Sequence, residues 1–274
     1  MTRKKRKIKL SLMTMILSTM LLIIFICSLI YYFHNRKPKE VHFEMLDIPT
    51  VEYEKIIDNN GRYSYEDSTY TSSFGIDVSE FIEDIDWKKV KNDDVEFVYM
   101  RLGRRGATTG LLYLDDKFEE YYQKATENNL KVGVYFFSQA VNEKEAREEA
   151  RFVINNLKHK TVHLPVAYDL EEVNLPNETA RIDGLTKEQF TKNALAFCEE
   201  LEEYGYQPII YTYPYWAENL YDMDALSKYP VWLAVYDADV PKHDYSITIW
   251  QYSKQGRVDG VNYDVDFNIM FTKK

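Results

Sequence analysis

The stretch PVAYDLEE, Pro165–Glu172, opens on a short apolar run and closes on carboxylates. Its mixture of β-branched and aromatic residues reads as a strand. Alternate side chains of a strand share a face. Ala167, Asp169 and Glu171 therefore point one way, and Val166, Tyr168 and Leu170 the other. Two acids on one face at the end of a buried strand resist ionisation, because burial and mutual repulsion both disfavour the second charge. One ionised and one protonated carboxyl is an acid–base pair of the kind used in glycoside hydrolysis.

Outward from this strand the chain shows a regular rhythm. FGIDVS (74–79), FVYMRLG (97–103) and KVGVYFFS (131–138) read as strands before it, and QPIIYTY (207–213) after it. Between them lie helical patterns over 86–92, 115–129 and 142–157, and one opened by Thr186 and closed before Gly205. Asn142 with Glu145 three residues on has the form of a capping box. Strands alternating with helices predict right-handed βαβ units and a parallel sheet. Beyond Tyr213 only a short helix fits, between Trp216 and Leu226. VWLAVYD (231–237), TIWQYS (248–253) and DVDFNIM (264–270) then follow closely. The prediction is an α/β fold: an irregular TIM-like barrel of five β/α units followed by three strands.

In a parallel barrel, functional side chains gather at the C-terminal ends of the strands. Asp77 stands near the end of the first strand, Asp169 and Glu171 at the end of the fourth, Asp237 after the sixth, and Asp266 in the last. Acids inside otherwise apolar strands are costly to bury without a partner. The bland explanation pairs each with Arg101, Arg104 or a backbone N–H.

The chain resembles the glycoside hydrolase family 25 lysozymes. The resemblance covers about residues 74–271 and rests on GIDVS with IDWKKVK following, KVGVYFFSQA, YDLEE, IIYT, VWLAVY, IWQYS and the closing VDFN. It implies the same irregular barrel and hydrolysis of the β-1,4 bond between N-acetylmuramic acid and N-acetylglucosamine. It also implies catalytic roles for Asp77, Asp169, Glu171 and Asp266, with Glu171 as general acid. The chain departs from the family pattern after the first-strand Ser, where Glu80 and Phe81 stand, and in Glu172, a third acid on the central strand. Tyr135, Tyr211, Tyr236 and Trp250 lie near strand ends and suit stacking on sugar rings. The five His are scattered, with no H-E-x-x-H and no Cys pair, so no metal or other cofactor is expected. Phosphate-loop and G-x-S-x-G motifs are lacking.

The N-terminus has a different character. Six cations precede Leu10–Phe33, 24 residues without a charged side chain, and Arg36, Lys37 and Lys39 follow. That length spans a bilayer as a helix, and six cations against three put the N-terminus inside. The run ends Ile30-Tyr31-Tyr32-Phe33, without the small residues of a signal-peptide cleavage site. The expected organisation is a cytoplasmic basic tail (1–9), a transmembrane anchor (10–33), a stalk (34–73) and a catalytic barrel (74–274). Cys27 and Cys198 are not expected to pair. All 44 acids but only 25 of the 34 cations follow residue 39, leaving that part at −19. Such a charge disfavours nucleic acid. The expected partners are a peptidoglycan glycan strand and, through the N-terminal helix, the membrane of a cell of Gram-positive type. Two other readings are an inactive wall-binding scaffold and a hydrolase of another N-acetylated glycan such as chitin.

Overall fold

A computed structural model describes residues 15, 17–28, 46–236 and 245–274. The chain divides into two units, 1–40 and 41–274. In the first, residues 17–28 are helical and their apolar side chains are exposed. Among the described residues no helix is long and apolar enough to cross a membrane. The expected anchor, 10–33, extends beyond the described residues at both ends.

The second unit begins with a 3-10 turn, Tyr53–Lys55, and a small hairpin of β1 (Ile57–Asn59) and β2 (Arg62–Ser64). β3 (Tyr70–Val78), α1 (Trp87–Asn92), β4 (Phe97–Arg105), β5 (Leu112–Leu114), α2 (Phe118–Glu127), β6 (Lys131–Ser138) and α3 (Glu143–Asn156) follow. Then come β7 (Val166–Leu170), α4 (Lys187–Glu203), β8 (Pro208–Thr212), α5 (Pro214–Asn219), α6 (Met223–Leu226), β9 (Val231–Ala234), β10 (Ile249–Gly256) and β11 (Val265–Lys273). Hydrogen-bonded neighbours run β3-β4-β6-β7-β8-β9-β10-β11 and back to β3, which closes an eight-strand barrel. All pairs are parallel except the two made by β11, which runs antiparallel to both β10 and β3. The eight expected strands are all present. Local signals set the helix ends. Asn142 and Thr186 accept from the backbone N–H groups of Glu145 and Gln189, and Gly205, at φ +80°, follows the end of α4.

Strand parity sorts the core. One face of each strand fills the barrel with Phe97, Tyr99, Ala167, Ile209, Trp232 and Met270. Gly75 and Gly133 make room for two of these rings: a Cβ at Gly75 would stand 2.4 Å from Phe97, and one at Gly133 2.6 Å from Tyr99. The other face packs on the helices. No helix lies between β9 and β10 among the described residues, and none between β10 and β11, so the outer faces of β10 and β11 need another cover. The segment before β3 supplies it. Tyr63 stacks on Tyr252 at 4.2 Å and leans on Trp250 at 5.3 Å, while Tyr65 and Tyr53 meet Phe271 edge-on. Gln207, just before β8, clasps the backbone of Leu46 through both ends of its amide. Residues 46–73, expected as part of a stalk, are thus built into the unit that holds the barrel. The stalk residues 34–45 lie outside the described residues, and so does Asp237.

Candidate active site

The C-terminal ends of the parallel strands and the N-terminal end of the antiparallel β11 surround a cavity of about 350 Å³. Asp77, Asp169, Glu171 and Asp266 all line it, as parity requires: each continues the inward-facing set of its strand. Asp77 and Asp266 stand directly opposite each other across the β3–β11 ladder. Asp77 Oδ2 accepts from Gln251 Nε2 and Asn268 Nδ2, both at 2.8 Å. Asp169 is the penultimate residue of β7 and is almost fully buried, and its Oδ1 has no hydrogen-bond partner outside the carboxyl pair it forms with Glu171. Glu171 lies one residue beyond the strand and is less buried. Its backbone carbonyl is pinned by Gln139 Nε2 at 2.9 Å.

These four acids form two pairs, and among the described residues neither has an ion-pair partner. Arg101 lines the cavity, but its Nε goes to Asp115 at 2.8 Å and its Nη2 to Glu80 at 2.7 Å. The pairing of the acids with Arg101 or Arg104 weighed above does not occur. Burial, reinforced by the charge of Glu171, therefore holds Asp169 well above the usual carboxylate range. Burial also raises Glu171, opposed by the hydrogen bond it accepts from Asp169. In the second pair burial and Asp266 hold Asp77 high, and burial pushes Asp266 up to about 6. In each pair burial and mutual repulsion favour one proton held between two carboxyls, an arrangement in which one member can donate while the other carries charge.

Of the four expected sugar-binding aromatics, Tyr135, Tyr211 and Tyr236 line the cavity. The hydroxyls of Tyr211 and Tyr236 both donate to Gln251 Oε1, at 3.0 and 2.6 Å, and Gln251 passes the chain on to Asp77. Trp250 does not line the cavity. It has the opposite parity to Gln251, is fully buried against Tyr63 and Tyr252 on the outer face of β10, and donates its Nε1–H to the Val235 carbonyl. The aromatic of the inner face is instead Trp232, whose Nε1 donates to Asn268 Oδ1 at 2.8 Å. Gln251, Asn268 and Trp232 were not singled out from sequence. All three sit in the quoted motifs IWQYS, VDFN and VWLAVY, and Asn268 is two residues from Asp266, hence on its face. Phe81 and Lys254 complete the rim.

Residues 76–261 match the family described as Glycosyl hydrolases family 25. The autolytic lysozyme of Clostridium acetobutylicum is 29% identical over 195 residues, covering 71% of this chain and 54% of that protein. The chain thus spans about half the length of that relative. Among solved structures, the spore cortex lytic enzyme SleM of Clostridium perfringens superposes with a TM-score of 0.63 at 25% identity, over 73% of this chain and 67% of that one. The bacterial lysozyme of Streptomyces coelicolor superposes with a TM-score of 0.56 at 26% identity, over 72% of this chain and 90% of that one.

Proposed function

We propose that this chain, which belongs to glycosyl hydrolase family 25, is an N-acetylmuramidase that cleaves the β-1,4 bond between N-acetylmuramic acid and N-acetylglucosamine in peptidoglycan. The observation that carries this reading is the Asp169–Glu171 pair, set at the mouth of a barrel with no ion-pair partner among the described residues. Burial favours the proton on the deeper Asp169, and its hydrogen bond gives the proton a path to the more open Glu171. From Glu171 the proton passes to the glycosidic oxygen as the C1–O bond breaks. The leaving sugar takes the bonding pair, and positive charge develops at C1. Asp169, then ionised, supports that charge, either directly or by orienting the 2-acetamido oxygen as an internal nucleophile. Asp77 and Asp266, fixed by Gln251 and Asn268, orient water or substrate. Water adds at C1 and its proton returns to Glu171. Tyr135, Tyr211 and Tyr236, joined by Trp232, offer ring faces to the sugars.

The reading extends to location. Leu10–Phe33, with cations on both flanks, anchors the chain in the cell membrane with the N-terminus inside and the barrel outside. What supports this is the sequence asymmetry, together with the exposed apolar side chains of helical residues 17–28. Protease added to protoplasts should then remove the barrel while a short N-terminal fragment stays with the membrane. Full protection, or barrel released into the medium by the cells themselves, contradicts the anchor. The activity is tested by identifying the new chain ends made in purified peptidoglycan, with chitin as the competing substrate. Cleavage of chitin alone would favour the other N-acetylated glycan, and cleavage of neither would favour the scaffold.

A further inference from the structure

Beyond Arg101 the β4 strand passes an irregularity, stays paired with β6 as far as Arg104, and on its other edge forms a hairpin with β5. Arg104 and Tyr113 are directly opposite in that ladder, and the guanidinium lies 4.7 Å from the ring centre. Arg104 also approaches Glu80 Oε1 at 3.9 Å, the same oxygen that Arg101 holds at 2.7 Å from within the cavity. Arg101 in turn lies 4.9 Å from the ring of Phe81, which is 72% exposed. A continuous strip of aromatic rings and guanidinium groups therefore runs from the cavity wall up the hairpin.

The hairpin is held in place. Gly106 N–H donates to the Leu111 carbonyl, Arg105 Nη1 to the Gly110 carbonyl at 2.7 Å, and Arg181 N–H to the Ala107 carbonyl at 2.8 Å. Arg105 is itself locked by the buried Glu149 at 2.7 Å. Phe81, open in the loop after β3, and Tyr113, half-buried on the fixed hairpin, are joined to the cavity wall through Arg101 and Arg104, and a strip of this kind beside an enzyme cavity marks a binding site.

We propose that Phe81, Arg104 and Tyr113 form a further glycan subsite, taking a sugar of the same strand beyond those held in the cavity. This rests on the muramidase reading above. The rings pack on the apolar C–H face of the sugar. Arg104, 40% exposed and lightly engaged by Glu80, receives a carboxylate carried by the strand, on the lactyl group of bare muramic acid or on an attached peptide.

The test uses the full chain in non-ionic detergent with two sets of peptidoglycan fragments, tetrasaccharides and long strands. Tyr113→Ala should raise KM for long strands about tenfold more than for tetrasaccharides, the scale of losing a large part of one aromatic contact. Tyr113→Phe keeps the ring and should restore the wild-type ratio. Arg104→Gln should weaken binding to strands bearing carboxylate. Strands with and without peptide tell the lactyl source from the peptide source, and a loss equal to that on carboxyl-reduced strands overturns the role of Arg104. Equal KM changes on long and short substrates, or none, overturn the subsite. A wild-type chain that cleaves neither substrate overturns the muramidase reading instead, so the two failures are distinguishable.

Discussion

Glu171→Gln is expected to lower turnover on peptidoglycan by about 10²–10⁴-fold, the usual worth of a positioned proton donor. Glutamine keeps the size of the side chain and much of its hydrogen bonding, but it has no carboxyl proton to give. The fold should survive. Nothing but another acid shares the Glu171 carboxyl, and removing a buried, repelling charge tends to stabilise. The pH dependence has a definite sign. Burial raises Glu171 in the folded protein above its ordinary value near 4.5. Above that value the unfolded chain has lost a proton that the folded chain still holds, so this group makes the wild type lose stability as pH rises through that range. The variant lacks that dependence. Its melting temperature should therefore gain on the wild type as the pH rises above 4.5. Glu172→Gln is the control, because Glu172 is exposed and has the opposite parity. Equal losses of activity at 171 and 172 would remove the basis for assigning the acid.

Removing residues up to Ser73, so that the chain begins at Phe74, should abolish stable folding, whereas beginning at Leu46 should not. The first deletion strips Tyr63 from Tyr252 and Trp250, and Tyr53 and Tyr65 from Phe271. It also removes the first four residues of β3, which pair with Met270–Lys273. Truncating a single buried aromatic costs about 3–5 kcal/mol, and a domain has only about 5–15 kcal/mol in total. Tyr65 is buried and Tyr53 and Tyr63 are half-buried, so losing all three together with the β3 pairing takes most of that margin. Thermal unfolding followed by circular dichroism distinguishes the two proteins. A cooperative transition of unchanged midpoint in the shorter one would show that the hairpin is dispensable.

The Tyr63 and Tyr65 contacts also show where the sequence was hard to read. Strands of three residues, as in β1 and β2, are too short to display alternation, and Asn59-Asn60-Gly61 with the nearby prolines looks like linker. Nothing local says that β10 and β11 lack helices and need a cover; that follows only once the barrel has closed. Trp250 was misplaced for a related reason. β10 is buried on both faces, so Trp250 and Gln251 look alike by hydrophobicity, and the inward face is decided by the ladders with β9 and β11. The acids were legible because a carboxyl in an apolar strand demands an explanation wherever it falls. The parity of Asp169 and Glu171 needed only the strand itself. Their freedom from Arg101 did not follow from sequence, since Glu80 and Asp115, which take that cation, lie far along the chain from each other.

The measurement closest to the central claim is the identity of the sugar ends created in purified peptidoglycan. The full-length chain in non-ionic detergent is incubated with the polymer, the new reducing ends are converted with borohydride, and the sugars are identified by mass spectrometry. The account predicts new ends made only of N-acetylmuramic acid, with wild-type protein and with Glu172→Gln, and almost none with Glu171→Gln. Ends made of N-acetylglucosamine, or undiminished N-acetylmuramic acid ends from Glu171→Gln, would contradict it.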